Sequence, residues 1–222
     1  MRVLYHLPLH PGCRKIRIML REKQLDFELK SEQIWDRREG FLRLNPAGEV
    51  PVLIEDEGHT IPQTPVIVEY LEEVYPERPL LGDSAMQRAE VRRISTWFDT
   101  KFHREVTEYL VDEKLTKRLM RQGQPDTATI RAGLQNIGYH LEYIAWLSDR
   151  RTWLAGDDFS AADITAAAEL SCLDYIGDVP WEAHPGAKDW YARVKSRPSM
   201  RDILADTLPG MPPPPHYPDL DF

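Results

Sequence analysis

The stretch Gly48-Glu49-Val50-Pro51-Val52-Leu53-Ile54 decides how the rest of this sequence is interpreted. Val52-Leu53-Ile54 has the length and composition of a short buried strand, and the preceding residues form a loop rich in turn formers. A proline at the start of a strand can carry a cis peptide bond, which marks a tight, functional turn. Alternatively, Pro51 simply opens an edge strand, a position where its missing N–H is tolerated.

The residues before this stretch predict a strand, a helix and a second strand. Residues 2–5 are short and apolar, and residues 26–30 alternate between apolar and polar side chains as a half-buried strand does. Between them, Ile16, Met19 and Leu20 recur at helical spacing among charged residues, which is typical of an amphipathic helix. The order favours a parallel βαβ unit.

The residues after the stretch predict a last strand at Thr60-Ile61 and then a helix. We expect Thr64 to be the N-cap of that helix and Pro65 its first residue. Because the first amides of a helix lack internal partners, a carboxylate could bind there, with Gln63 and Thr64 adding hydrogen bonds. The alternative is an ordinary helix start without a ligand.

Everything beyond residue 84 has helical character. We expect one long helix over 84–121, a second to about residue 148, and three more beginning near residues 160, 184 and 198. Ser160 and Asp163 have the spacing of a capping box, which starts a buried helix. The sequence predicts an α/β domain over 1–76, a linker over 77–83, an all-α domain over 84–206 and a proline-rich tail over 207–222.

Composition excludes several classes of function. The 222 residues include 28 Lys and Arg against 36 Asp and Glu, so the net charge of −8 argues against a nucleic-acid partner. No stretch has the length of apolar residues that a membrane span needs. Two cysteines without metal-ligand spacing indicate neither a disulfide scaffold nor a metal site, and they favour a cytoplasmic location.

The loop after the first strand, His10-Pro11-Gly12-Cys13-Arg14, could carry chemistry. A thiol at a helix start lies beside free backbone amides, which lower its pKa, and Cys13 could be such a thiol. The alternative is that Cys13 is a small side chain packed inside the protein. His10 could donate a hydrogen bond, or it could be an exposed loop residue.

Taken in this order and spacing, these motifs resemble the cytosolic glutathione S-transferase family over about residues 1–206. The resemblance implies a thioredoxin-like N-terminal domain, an α-helical C-terminal domain, a homodimer, and glutathione as co-substrate for a hydrophobic electrophile. It also implies that Val50, beside Pro51, pairs with the cysteinyl part of glutathione. Gln63 and Thr64 would hold the γ-glutamyl carboxylate.

The catalytic position departs from that family's pattern. The family stabilises the glutathione thiolate with a Tyr, Ser or Cys after the first strand, because a donated hydrogen bond favours the charged form. Aligning the helix starts places His10 at the usual Ser or Cys. Tyr5, at the end of the first strand, and Cys13, three residues beyond His10, are the alternative candidates.

The tail carries a second resemblance, to the FzlA-type, FtsZ-binding division proteins of the same fold. It contains six prolines from Pro209 onward, so we expect a stiff, extended arm. Such an arm would present Tyr217, Leu220 and Phe222 to the groove of a division partner, and the protein would bind FtsZ without catalysis. We expect removal of 212–222 to leave the fold intact. The alternative is a tail that is disordered or folded back on the protein itself.

Overall fold

The computed structural model of the chain describes residues 1–220 and begins with a four-stranded mixed sheet. The strands are β1 (Arg2–His6), β2 (Phe27–Ser31), β3 (Val52–Ile54) and β4 (Thr60–Pro62). They lie in the order β2-β1-β3-β4, with β1 and β2 parallel and the other pairs antiparallel. In this register Leu4 of β1 lies opposite Leu29 on one side and Leu53 on the other. The parallel βαβ unit is therefore confirmed.

Helices make up most of the remaining chain. The N-terminal domain contains α1 (Pro11–Glu22), α2 (Glu39–Leu42) and α3 (Thr64–Val74). The C-terminal domain contains α4 (85–120), α5 (Thr127–Ser148), α6 (Ala161–Tyr175), α7 (Pro185–Lys195) and α8 (Arg201–Leu204). Within residues 1–220 no strand follows Pro62, as predicted, and only isolated bridges occur. None of these helices combines the length and apolar character needed to cross a membrane.

Helix α4 is one continuous helix, as predicted, but its middle is wound more widely than an α-helix. Over Trp97–Thr116 the hydrogen bonds reach five residues back, and at the end of this segment the Lys117 N–H donates to the Asp112 carbonyl. This is π-type winding, which often occurs near functional sites. Nothing in the spacing of apolar residues indicated it.

Helix α6 forms the centre of the helical domain. All of its residues are buried, including the run Ala166-Ala167-Ala168, whose small side chains allow neighbouring helices to approach. The capping box at its start is confirmed: the Ser160 hydroxyl accepts from the Ala162 N–H at 3.3 Å, and the Asp163 carboxylate accepts from the Ser160 N–H at 3.2 Å. The cap satisfies amides that would otherwise be buried without partners.

Helix α1 joins the sheet domain to the helical domain through charged side chains. Lys15 pairs with Asp99 of α4, with a 2.6 Å Nζ–Oδ2 distance. Arg14 and Arg17 both pair with Asp206, at 3.1 and 2.7 Å, and both arginines are buried. Because a buried guanidinium without a carboxylate is costly, Asp206 fixes the chain after α8 onto α1.

The C-terminal tail folds back on the helical domain, which corrects one prediction. Tyr217 is fully buried, its ring lies edge-on to Tyr175 at 5.2 Å, and its hydroxyl donates to the Ile203 carbonyl at 2.9 Å. Tyr217 is therefore a core residue and is not presented to a partner, so removal of 212–222 would also damage the fold. Leu220 remains exposed, and Phe222 lies outside the described residues.

Candidate functional site

Two adjoining cavities lie on the sheet domain, and the larger one extends between it and the helical domain. The smaller, of about 500 Å³, is lined by residues of the β3 approach and the start of α3. The larger, of about 630 Å³, lies between the β1–α1 loop, the chain around Trp35, α4 and the segment 207–209. His10 and Ile34 line both cavities, so a ligand in one would contact a ligand in the other at His10. A cleft between two domains is a common place for small-molecule sites.

The smaller cavity exposes a free main-chain edge at Val50. The Val50–Pro51 peptide bond is cis. Within residues 1–220, neither the N–H nor the C=O of Val50 has a hydrogen-bond partner. The side-chain amide of Asn45 donates to the Glu49 carbonyl at 2.8 Å and holds the preceding loop in place. An extended peptide could therefore pair with Val50 as an added strand.

The start of α3 lies beside this edge. The helix begins at Thr64, but its N-cap is Gln63, which adopts a φ of +74°, so the prediction that Thr64 is the N-cap was wrong by one residue. The Gln63 N–H donates to the Pro51 carbonyl at 3.2 Å, and the Gln63 side chain does not cap the helix. The free amides of the first turn therefore face the cavity with the side chains of Gln63 and Thr64, an arrangement suited to a carboxylate.

His10 is the N-cap of α1, and its tautomer follows from that role. Its Nδ1 accepts a hydrogen bond from the Cys13 N–H at 3.3 Å. Burial, assisted by the positive charge of His103, lowers the pKa of His10 to about 4, so the ring is neutral at pH 7. With Nδ1 acting as an acceptor, the single proton of the neutral ring is on Nε2, which is then a hydrogen-bond donor.

Gly12 brings His10 close to the start of α3. A Cβ atom at residue 12 would lie 2.4 Å from the Thr64 hydroxyl oxygen and 3.2 Å from the His10 ring. Only glycine therefore allows the two helix starts to approach this closely. The consequence is that the donor on His10 and the anion-binding start of α3 belong to one site.

The other two catalytic candidates do not reach this site. Cys13 is fully buried, and burial raises the pKa of its thiol to about 12, so the prediction of a low-pKa thiol was wrong. Tyr5 packs on Phe41, with ring centroids 5.5 Å apart, and lines neither cavity. Its ring belongs to a small core cluster, so the prediction of a catalytic hydroxyl at Tyr5 is also contradicted.

The larger cavity has mostly apolar walls, and its polar lining residues include His103, which sequence analysis missed. Trp35, Val111 and Leu115 are among its apolar lining residues, and His103 of α4 also faces it. The His103 Nδ1 lies 3.0 Å from a carboxylate oxygen of Glu169, which is buried in α6. The only sign of this pairing in the sequence was Glu169, an acidic residue in the otherwise uncharged stretch 164–173 of α6.

The structure gives no support for a metal centre in this region. Among residues 1–220, no group of three or more His, Cys, Asp or Glu side chains is placed to hold a metal ion.

Known proteins share this fold and this sequence pattern. The family model described as glutathione S-transferase, N-terminal domain, matches residues 4–79, and the model for the C-terminal domain of that family matches residues 138–198. FtsZ-localized protein A of Caulobacter vibrioides is 47% identical over 100% of this chain and 98% of its own length. A solved structure of a glutathione S-transferase from Rhodospirillum rubrum is 60% identical, covers 100% of both chains and superimposes with a TM-score of 0.98. A Methylobacterium radiotolerans glutathione S-transferase in complex with glutathione sulfonate is 28% identical, covering 93% of this chain and 97% of its own, with a TM-score of 0.76.

Proposed function

Because the chain belongs to the glutathione S-transferase family, we propose that it binds glutathione and conjugates the thiol to a hydrophobic electrophile. The observation that carries this proposal is the free main-chain edge of Val50, which lies in one cavity with Gln63 and Thr64. A tripeptide with a free carboxylate at its γ-glutamyl end has the groups that this cavity can bind.

In this proposal each part of glutathione has a partner among the residues of the smaller cavity. The cysteinyl main chain pairs with the N–H and C=O of Val50, as an added strand does. The γ-glutamyl carboxylate binds the first amides of α3 together with Gln63 and Thr64. The thiol then lies toward His10, whose Nε2–H donates a hydrogen bond to the sulfur and favours the thiolate. The relative that was solved in complex with glutathione sulfonate supports the binding of a glutathione-like ligand by this fold.

The larger cavity is the proposed site of the electrophile. Its apolar walls favour a hydrophobic body, and it meets the smaller cavity at His10, where the sulfur would lie. Holding both reactants in adjoining cavities makes the attack of the thiolate on the electrophile effectively intramolecular. This accounts for much of the rate enhancement that such a site can provide.

We expect replacement of Gln63 by alanine to weaken glutathione binding about tenfold, because a hydrogen bond to a charged carboxylate is lost. Isothermal calorimetry measures the Kd directly. Gln122→Ala, which removes the same side chain from an exposed turn, is the matched control and should leave the Kd unchanged. Absence of any glutathione binding by the unaltered protein at millimolar concentration would overturn the proposed function.

We further propose that the protein is a homodimer, because two of its surfaces are complementary. The first surface lies on α5, where Tyr139 and Trp146 are 57% and 50% exposed. Lys101 lies over the ring of Tyr139, and Arg150 lies over the ring of Trp146 at 4.5 Å. This surface is therefore aromatic, and its two cations are paired with Glu105 and Asp149.

The second surface lies on α3, where Val66 and Val74 are exposed beside Glu73, while Glu69 on the same helix is paired with Arg92 at 2.9 Å. The exposed valines of this surface suit the exposed aromatic rings on a second copy, and a two-fold axis would use each pairing twice. This agrees with a homodimer that pairs one sheet domain with the other helical domain.

Trp146→Glu is expected to weaken the dimer by about 30-fold or more, because aromatic residues at the centre of an interface carry much of its binding energy. Sedimentation velocity at micromolar concentration should then show a monomer where the unaltered chain is a dimer. Leu29→Glu, at an exposed position of β2, is the control and should remain dimeric. An unaltered chain that sediments as a monomer would contradict the proposal.

A second candidate function is binding to FtsZ filaments in the cytoplasm, with the tail engaging a further division partner. The specific observation is the 47% identity to FtsZ-localized protein A over the whole of this chain. The two free thiols, Cys13 and Cys172, are consistent with a reducing, cytoplasmic setting.

We expect the full chain to pellet with polymerised FtsZ. A chain shortened after Pro218 keeps the buried Tyr217, so it should stay folded and still pellet, but it should fail to support division in cells because Leu220 and Phe222 are gone. Circular dichroism checks the fold of the shortened chain. Failure of the full chain to pellet at saturating FtsZ would exclude this second function.

A further inference from the structure

His103, which is half-buried at the wall of the larger cavity, begins a hydrogen-bonded chain that continues to the buried side chains of Glu169 and Thr107. Its Nδ1 lies 3.0 Å from Glu169 Oε1, and the Thr107 hydroxyl donates to the other carboxylate oxygen of Glu169 at 2.6 Å. Glu169 and Thr107 are both buried, so the carboxylate is held in one position. A carboxylate bound to Nδ1 orients an imidazole and leaves its Nε2 available to a ligand.

The charge on His103 follows from this arrangement. The hydrogen bond that His103 donates to the Glu169 carboxylate, together with the negative charge of that carboxylate, raises the pKa of His103 to about 9. At neutral pH the ring therefore carries two protons, one of which is on Nε2. His10, which lines the same cavity, is neutral. The cavity therefore contains one neutral imidazole, that of His10, and one cationic imidazole, that of His103.

Four other titratable groups lie around His103 and Glu169: Glu108, Asp112, Asp99 and His10. Glu108 and Asp112, on the same helix, also line the cavity, and a Glu108 oxygen lies 4.0 Å from the His103 Nε2, beyond hydrogen-bond distance. The negative charge of Asp99 on α4 raises the pKa of Glu169. His10 lines the same cavity as His103, from the start of α1. Of these groups, Glu108 and Asp112 are carboxylates that raise the pKa of His103 and favour its cationic form. Its Nε2–H remains available to a ligand.

We propose that His103 is a catalytic residue that donates a proton to the oxygen of the electrophile, and that the electrophile is an α,β-unsaturated carbonyl compound with an apolar body. This inference rests on the proposed function, since it takes the glutathione thiolate as the nucleophile. The apolar walls of the cavity fit the body of such a compound, and a fixed cationic donor fits the oxygen on which negative charge develops.

The reaction balances without any further reagent. The thiolate sulfur supplies an electron pair to the β-carbon and forms the S–C bond, while the C=C π pair moves toward the carbonyl and its oxygen becomes negative. The His103 Nε2–H transfers its proton to that oxygen, which gives an enol and a neutral imidazole. The enol becomes the ketone in water, and a solvent proton restores His103. Glu169 remains on Nδ1 throughout.

A matched pair of electrophiles tests this role. 4-Phenylbut-3-en-2-one collects negative charge on an oxygen during thiol addition, whereas benzyl chloride has the same phenyl ring and releases chloride. His103→Gln is expected to lower kcat/KM about 100-fold for the enone and less than about twofold for the chloride. His59→Gln, at an exposed turn, is the control and should change neither rate. Equal losses for both electrophiles, or no loss for the enone, would overturn the proposal.

Equilibrium binding gives a second readout that does not depend on turnover. The saturated ketone 4-phenylbutan-2-one should bind the unaltered protein about tenfold more tightly than it binds His103→Gln, because a hydrogen bond from a charged donor is lost. Butylbenzene, which lacks the oxygen, should bind both equally. Equal ketone affinities would count against His103, while failure of calorimetry to detect glutathione would overturn the proposed function separately.

Discussion

Replacing Asp163 by alanine is expected to lower the free energy of unfolding by about 3–5 kcal/mol. Asp163 is fully buried and accepts four hydrogen bonds. They come from the Leu154 N–H, the Ser160 N–H and hydroxyl, and the Trp190 indole N–H. Alanine would leave these donors buried without an acceptor, and each unsatisfied donor carries its full desolvation cost.

The loss at Asp163 should exceed that of an ordinary helix cap. A cap alone is worth about 1 kcal/mol, which is the change expected for Ser160→Ala. The additional loss arises because Asp163 also ties the loop at Leu154 and the indole of α7 to the start of α6. Three segments of the helical domain therefore depend on one carboxylate.

Denaturant unfolding followed by tryptophan fluorescence measures the change. Asp157→Ala, at an exposed position of the same loop, is the matched control and should stay within about 0.5 kcal/mol of the unaltered protein. A loss below about 1 kcal/mol for Asp163→Ala would show that the loop and α7 do not depend on this carboxylate.

The parts of the structure that sequence analysis predicted are those that local chemistry specifies. Ser160 and Asp163 are three residues apart, so their capping box can be seen without knowing the fold. The βαβ unit and the helices follow from periodicity in the same way. The role of the main chain at Val50, in contrast, was implied by the resemblance to the glutathione S-transferase family and not by local chemistry.

The parts that sequence analysis missed depend on which residues meet across the fold. His10 and Cys13 are three residues apart at one helix start, yet only tertiary packing determines that Cys13 is buried and His10 faces the cavity. His103 and Glu169 are separated by 66 residues, so their pairing has no local signal. Tyr217 was predicted to be presented to a partner but is buried, for the same reason: the pocket that buries it is built from helices distant in sequence.

The second large effect is expected at His10, where replacement by asparagine should lower kcat/KM for glutathione conjugation about 100-fold. Asparagine is among the best N-cap residues, so it can keep the hydrogen bond from the Cys13 N–H. Its side chain is shorter than that of histidine, and it cannot place a donor where the His10 Nε2 lies. The variant therefore separates the capping role of His10 from its role toward the thiol.

Comparison with His10→Ala makes this separation measurable. Alanine removes both roles, so it should show the same loss of rate together with about 1 kcal/mol less stability than the asparagine variant. His59→Asn, at an exposed position, is the control for the substitution itself. A His10→Asn variant that keeps more than about a third of the rate would exclude His10 as the thiolate donor.

The pH dependence of the conjugation rate gives an independent check that His10 stabilises the thiolate. Because burial lowers the pKa of His10 to about 4, its ring stays neutral at and above pH 6 and does not itself shape the rate profile there. The rate should rise with pH as the bound thiol ionises. Without the Nε2–H donor the thiolate is less favoured, so in His10→Asn the midpoint of this rise should move upward by about two pH units. A midpoint that does not move would mean that the thiolate is stabilised by the helix start alone, and that His10 serves only as a cap.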